Sequence, residues 1–91
     1  MSGRPILVTG GAGFIGANLS DSLAADGHAV IVYDALSRPG VEANLAWLRQ
    51  RHGSRITPVV ADIRDPQELG RAVAEAGAVF HFAAQVAVTT S

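Results

Sequence analysis

Apolar runs and helical spacings alternate along this chain, and the alternation predicts its elements in order. Pro5 to Thr9 is a short apolar run that stops at Gly10, the pattern of a buried strand. Phe14, Ile15, Leu19 and Leu23 then recur at helical spacing, with Ser20, Asp21 and Asp26 on the other faces. They predict a helix with that inward stripe, closed by Gly27. Ala29 to Tyr33 is apolar throughout, as a strand covered by helices on both faces must be. Asp34 to Gly40 reads as loop, punctuated by Ser37, Pro39 and Gly40. Glu42 to His52 predicts a second helix with Leu45 and Leu48 facing inward and Gly53 as its stop. Ile56 to Ala61 predicts a third strand, in which Pro58 demands an edge position or one needing no ladder bond. Asp65, Pro66 and Glu68 then supply an N-cap, a first-turn proline and a capping box. Leu69 and Val73 give that third helix its inner stripe and Gly77 its stop. Ala78 to Ala83 predicts a fourth strand, and Gln85 to Ser91 leads out of it.

The order β-α-β-α-β-α-β is that of an α/β unit, and right-handed crossovers make its sheet parallel. The doubly wound arrangement gives strand order 3-2-1-4 with three crossover helices. No linker or low-complexity stretch interrupts residues 1–91, which read as one unit. In such a sheet two helices share one face and a single helix crosses the other, leaving apolar surface there and an open edge on the fourth strand. The expectation is therefore a truncated half of a doubly wound domain.

Gly10-Gly11-Ala12-Gly13-Phe14-Ile15-Gly16 joins the first strand to the first helix. A strand end, a tight turn and a helix N-terminus bring unpaired N–H groups and partial positive charge to an anion. Glycines permit positive φ, close approach of a phosphate, and close packing of helix on strand. This context fits the dinucleotide fingerprint, with a pyrophosphate at the backbone around Gly11 and Gly13. A methyltransferase-type nucleotide site also uses such a turn and stays open as a rival. A P-loop is excluded, because the chain has no lysine.

Asp34 ends the second strand, 18 residues after Gly16. A carboxylate there can accept both ribose hydroxyls of adenosine and would repel a 2′-phosphate, which favours NAD over NADP. Arg38, on the loop beside Ser37, could instead grip that phosphate. Asp62 and Ile63 follow the third strand, where a carboxylate could take the exocyclic amine of adenine and an isoleucine could wall its ring. Asp62 could equally serve loop N–H groups. Ala83 and Ala84 are small where a cofactor's pyrophosphate and ribose would pass, or where a helix packs on the sheet.

Composition closes off other functions. Apolar residues make up 48% and charged residues 16%, which sets the chain among globular proteins rather than disordered ones. The net charge of −1 is spread without a basic run, against nucleic-acid binding. Without cysteine there are no disulfides, thiolate nucleophiles or zinc–thiolate sites. No apolar stretch is long enough for a membrane span and no signal core is present, so a soluble cytoplasmic protein is expected. No histidines have metal spacing. His28 and His52 are expected to be solvated at helix ends, and His81, between Phe80 and Phe82, to be a hydrogen-bonded structural residue.

Val8-Thr9-Gly10-Gly11-Ala12-Gly13-Phe14-Ile15-Gly16 resembles the signature of the extended short-chain dehydrogenase/reductases, the NAD-dependent epimerase/dehydratase family with its Rossmann-type fold. Asp34, Asp62-Ile63-Arg64-Asp65 and Phe80-His81-Phe82-Ala83-Ala84-Gln85 fall where that family keeps its other cofactor motifs. Asp34 to Arg38, Asn44 to Leu48 and Gln85 to Ser91 look like its CDP-sugar 2-epimerase branch. The resemblance implies a nucleotide-sugar substrate for the complete protein, tightly held NAD, transient oxidation of a sugar hydroxyl with hydride return, and a homodimer. It also implies a proton acceptor in a Tyr-x-x-x-Lys pair, which these residues lack: there is no lysine, and Tyr33 precedes the cofactor aspartate. Thr89, Thr90 and Ser91 would lie near the nicotinamide. The residues thus predict the NAD-binding portion of an epimerase without its catalytic residues. An NADPH-dependent reductase of the same superfamily and a non-catalytic nucleotide-binding module are the alternatives.

Overall fold

A computed structural model of the chain describes residues 4–36 and 39–82. Its elements are β1 (Ile6–Thr9), α1 (Phe14–Ala25), β2 (Val30–Asp34), α2 (Val41–His52), a 3₁₀ turn (Gly53–Arg55), β3 (Ile56–Val60), α3 (Pro66–Glu75) and β4 (Ala78–His81). The strands are parallel in the order β3-β2-β1-β4, as expected. Boundaries shift by a residue or two from the sequence reading: β2 begins at Val30 and takes in Asp34, β3 stops at Val60 and β4 at His81. Pro58 lies on β3, an edge strand, which meets its requirement.

The two-residue alternation of each strand divides the core between the faces of the sheet. Val8, Val30 and Val32 face α1 and α2 and pack with Ala17, Ala24, Leu45 and Leu48. Leu7, Ile31 and Tyr33 face the other way, toward Leu69 and Ala72 of α3 and Ala76 at its C-terminal cap. Full burial of each valine, leucine or isoleucine here contributes about 1.5–3 kcal/mol relative to exposure, and each alanine less. β4 is different: Val79 and Phe80 remain exposed, and its pairing among the described residues is with β1 alone.

The inward face of α1 is Gly16, Ala17, Ser20 and Ala24, not the expected stripe. Phe14 and Ile15 are 81% and 63% exposed, and Leu19 and Leu23 only half-buried. Distance is the reason. A Cβ on Gly16 would collide with the Gly10 carbonyl oxygen and stand 2.8 Å from Gly11 Cα. The helix is held too close to the preceding turn for large side chains. Ser20 is fully buried and its hydroxyl has no partner among the described residues, so its size rather than its polarity suits it. Gly27 (φ 99°) closes the helix as expected, with its N–H on Ala24 O and the His28 N–H on Leu23 O.

Leu45 and Leu48 are buried under α2 as expected. His52 is not solvated: its side chain is 9% exposed and its Nε2 lies 2.6 Å from Asp21 Oδ1. Arg51 reaches the same oxygen at 2.8 Å, so Asp21 of α1 clasps the C-terminus of α2. Hydrogen bonds from His52, and then from Arg51, hold the Asp21 carboxyl below the usual carboxylate range.

Asp65 caps α3 by accepting the Gln67 and Glu68 N–H groups, at 3.1 and 3.2 Å. The reciprocal half of the expected capping box is missing. The Asp65 N–H donates instead to Asp62 O, and the Glu68 carboxylate stands 3.5 Å from Arg71. Val73, expected inside, is exposed, because the i, i+3, i+7 line through Leu69, Ala72 and Ala76 meets the sheet. The helix ends at Glu75, before Gly77, whose N–H binds Pro5 O as β4 begins. Asp65→Ala should therefore lower stability by about 1 kcal/mol and Glu68→Ala by less than about 0.5 kcal/mol in urea unfolding. Equal losses would show that the full box forms in solution.

Candidate functional site

β1 ends at Thr9 and the chain turns through Gly10 at φ 70°, a left-handed conformation suited to glycine. The turn is fixed from two sides. From β2, Tyr33 O accepts the Gly10 N–H at 2.7 Å and the Gly11 N–H at 3.4 Å, and Asp34 Oδ2 accepts the Ala12 N–H at 3.1 Å. From α2, the Asn44 side chain donates to Ala12 O at 2.7 Å. A Cβ on Gly11 would meet Val8 O at 2.8 Å and Val32 Cγ1 at 2.9 Å, so this glycine serves packing.

The expected donors at Gly11 and Gly13 are engaged internally, with the Gly13 N–H on Gly10 O. Helix geometry instead leaves the first-turn N–H groups of Phe14, Ile15 and Gly16 without intrahelical acceptors, at the positive end of the α1 dipole. Among the described residues no side chain caps that terminus, and no acidic residue lies in its first turn.

A cleft of about 760 Å³ opens above the C-terminal ends of the strands. Gly10, Gly13, Phe14, Ile15 and Gly16 line it at α1, Asp34 at the end of β2, and Asp62 and Ile63 beyond β3. All eight were singled out from sequence; Gly11 is buried. Ser37, Arg38, Ala83, Ala84 and Gln85 lie outside the described residues. Open α/β sheets bind their ligands in this crevice.

Asp34 uses its second oxygen locally as well, accepting the Leu36 N–H on Oδ1 at 2.8 Å. Leu36 sits at φ 57°, a conformation that costs about 1–2 kcal/mol for a residue with a Cβ. Its bond to Asp34 and its packing on the core offset that cost. Three residues have roles that the sequence reading did not assign. Tyr33 is buried, and its hydroxyl donates to Asp62 O at 2.9 Å, a strut from β2 to the loop after β3. Burial first, and then the carboxylates of Asp65, Glu68 and Asp62, push its phenol pKa up, so it stays protonated. Asn44 shares the inner side of α2 with Val41, Leu45 and Leu48, and an amide there was the available signal. Arg64 forks onto Asp62, with Nε on Oδ1 at 3.1 Å, Nη2 on Oδ2 at 2.9 Å, and its backbone N–H on Oδ1 at 2.8 Å. The Arg64 side chain foremost, then its N–H, lowers the Asp62 carboxyl to about 2.

At the far strand, the Thr9 hydroxyl is 2.7 Å from His81 Nδ1 and accepts the Phe82 N–H at 3.1 Å. His81 is thus the hydrogen-bonded residue the sequence suggested. No group of three metal-ligating side chains occurs among the described residues, and none of their helices is long and apolar enough to cross a membrane.

The parallel 3-2-1-4 sheet, with a glycine turn and helix N-terminus at its strand ends, is a Rossmann-type fold. The chain belongs to the family described as GDP-mannose 4,6 dehydratase, whose model matches residues 7–91. CDP-paratose 2-epimerase of Salmonella typhi is 40% identical over 88 residues, which are 94% of this chain and 25% of that protein. A dTDP-glucose 4,6-dehydratase of Mycolicibacterium smegmatis is 42% identical over 85 residues, 91% of this chain and 24% of that one. The crystal structure of UDP-glucose-4-epimerase from Stenotrophomonas maltophila, with bound NAD and formylated UDP-arabinopyranose, superposes with a TM-score of 0.78 at 34% identity. That match covers 93% of this chain and 26% of the other. The chain spans about a quarter of the length of these relatives.

Gly16→Ala should cost about 1–3 kcal/mol, the usual penalty for overpacking, since backbone rather than a side-chain tip would have to move. Chemical denaturation measures it, and a neutral substitution would mean that α1 stands further from the turn. Asp62 should titrate near 2 in the folded chain by carbonyl NMR. Its pKa is lower folded than unfolded, so the pair favours the folded state above about pH 4. That contribution disappears as pH falls toward about 2. Arg64→Ala should return the midpoint toward the ordinary carboxylate value.

Proposed function

We propose that residues 1–91 form the N-terminal NAD-binding segment of a nucleotide-sugar epimerase. The observation that carries this reading is the 3.1 Å bond from the Ala12 N–H to Asp34 Oδ2, which puts a carboxylate beside the open donors of α1. The N–H groups of Phe14, Ile15 and Gly16 hold the pyrophosphate. Asp34 accepts the adenosine ribose hydroxyls with its remaining lone pairs, and Asp62 and Ile63 meet the adenine. Ser37, Arg38, Ala83, Ala84 and Gln85 belong to the proposed cofactor set by the family resemblance of their motifs alone. The cradle fits: the first turn of α1 has no side-chain cap among the described residues and carries no acidic residue. NAD, when bound, supplies the hydride acceptor and donor. The part of these residues is to bind and orient it.

Relatives named for CDP-, dTDP- and UDP-sugars support a nucleotide-sugar substrate, and the CDP-paratose 2-epimerase match favours 2-epimerisation of a CDP-sugar. Proton transfer falls to residues other than these. The chain has no lysine, and Tyr33 is a buried strut.

Calorimetric titration tests the reading. NAD should bind about tenfold or more tightly than NADP, because a carboxylate faces the added 2′-phosphate. Asp34→Asn, which keeps the shape and removes the charge, should narrow that gap. Tighter NADP binding by the unaltered chain would make Arg38 the governing residue and contradict the assignment. The 91-residue chain should show no turnover of CDP- or UDP-sugars, and measurable epimerisation would show that catalytic groups lie within it.

A further inference from the structure

The acidic groups of the cleft are held differently at its two ends. Among the described residues Asp34 receives backbone N–H groups, whereas Asp62 is gripped by an arginine two residues along the same loop. A carboxylate offers about four acceptor positions. Arg64 fills three of them, two on Oδ1 and one on Oδ2, and leaves one on Oδ2. Both residues line the cleft. Strand order 3-2-1 sets the helix donors, Asp34 and Asp62 in succession, the order of phosphate, ribose and base in a nucleotide.

Resting on the cofactor reading above, we infer that Arg64 is a positioning residue for base recognition, which fixes Asp62 as a single-acceptor anion that selects a purine amine over a purine carbonyl. The fork sets the plane of the carboxylate, which an unpaired aspartate at a half-exposed site would not keep. It also cancels the Asp62 charge, so this end of the cleft does not repel a ligand already carrying two phosphates. The low pKa of Asp62 is consistent, since the group stays an acceptor across the physiological range. A carbonyl in place of the amine would set oxygen against oxygen.

The test is binding of NAD and of its hypoxanthine analogue, which replaces the adenine amine by a carbonyl, to the 91-residue chain and to Arg64→Ala and Arg64→Lys. Arg64 is 87% exposed at its side chain, so both variants should keep the fold, which far-UV circular dichroism checks. The unaltered chain should favour NAD by about tenfold, the scale of one mismatched acceptor. Arg64→Ala should bring that ratio to about twofold, with Arg64→Lys between, because an ammonium cannot fork. An unchanged ratio in Arg64→Ala would overturn the inference. Equal weakening of both ligands would overturn it too, by showing that Arg64 touches the cofactor itself. Failure of the unaltered chain to bind either ligand would instead remove the cofactor reading on which the inference rests.

Discussion

One hydrogen bond ties the two halves of the cleft together: the Ala12 N–H on the Asp34 carboxylate. It joins the turn after β1 to the tip of β2, and both neighbouring elements depend on it. With Ala12 held there and Asn44 holding its carbonyl from α2, the turn has little freedom. Its own amides face inward, onto Tyr33 O and Gly10 O. What remains open is the start of α1, where the helix presents unsatisfied N–H groups beside a carboxylate. Unsatisfied helix N–H groups and the Asp34 carboxylate therefore adjoin at the strand ends. The proposed cofactor role follows from that adjacency.

The same closeness shapes the first helix. Gly16 packs on the backbone of Gly10 and Gly11, and Ala17, Ser20 and Ala24 continue the contact along the sheet. Small side chains bring the helix N-terminus down to the strand ends. Phe14 and Ile15 are turned outward as a result, and both line the cleft. Their exposure comes from the geometry that opens the site. The clasp of Asp21 on His52 and Arg51 holds the far ends of α1 and α2 in the matching position.

Much of this architecture could be read from the chain alone, where a local signal has one physical meaning. Continuous apolar runs gave the strands, and the helices between them the parallel order. Asp65 before Pro66 marked the start of α3, and the glycines with Asp34 marked two ends of one cleft. Long-range contacts were harder to see. Periodicity marked Phe14, Ile15, Leu19 and Leu23 as the inner face of α1, because hydrophobicity carries no information about interaxial distance. Glu68 matched the capping box, yet Asp62 O had already taken the N–H it would have bonded. His52 looked like a helix-end residue until a carboxylate on another helix reached it. Asn44 and Arg64 have local roles that only the fold makes significant.

The most direct measurement is of amide resonances as ADP-ribose, which carries the pyrophosphate and both riboses without nicotinamide, is added to the chain. The amides of Phe14, Ile15 and Gly16 should shift with saturation, while that of Gly11 should hold nearly still, since it is already engaged by Tyr33 O. A shift concentrated at Gly11, or none along the start of α1, would mean that the anion sits elsewhere and that the helix terminus is not its seat.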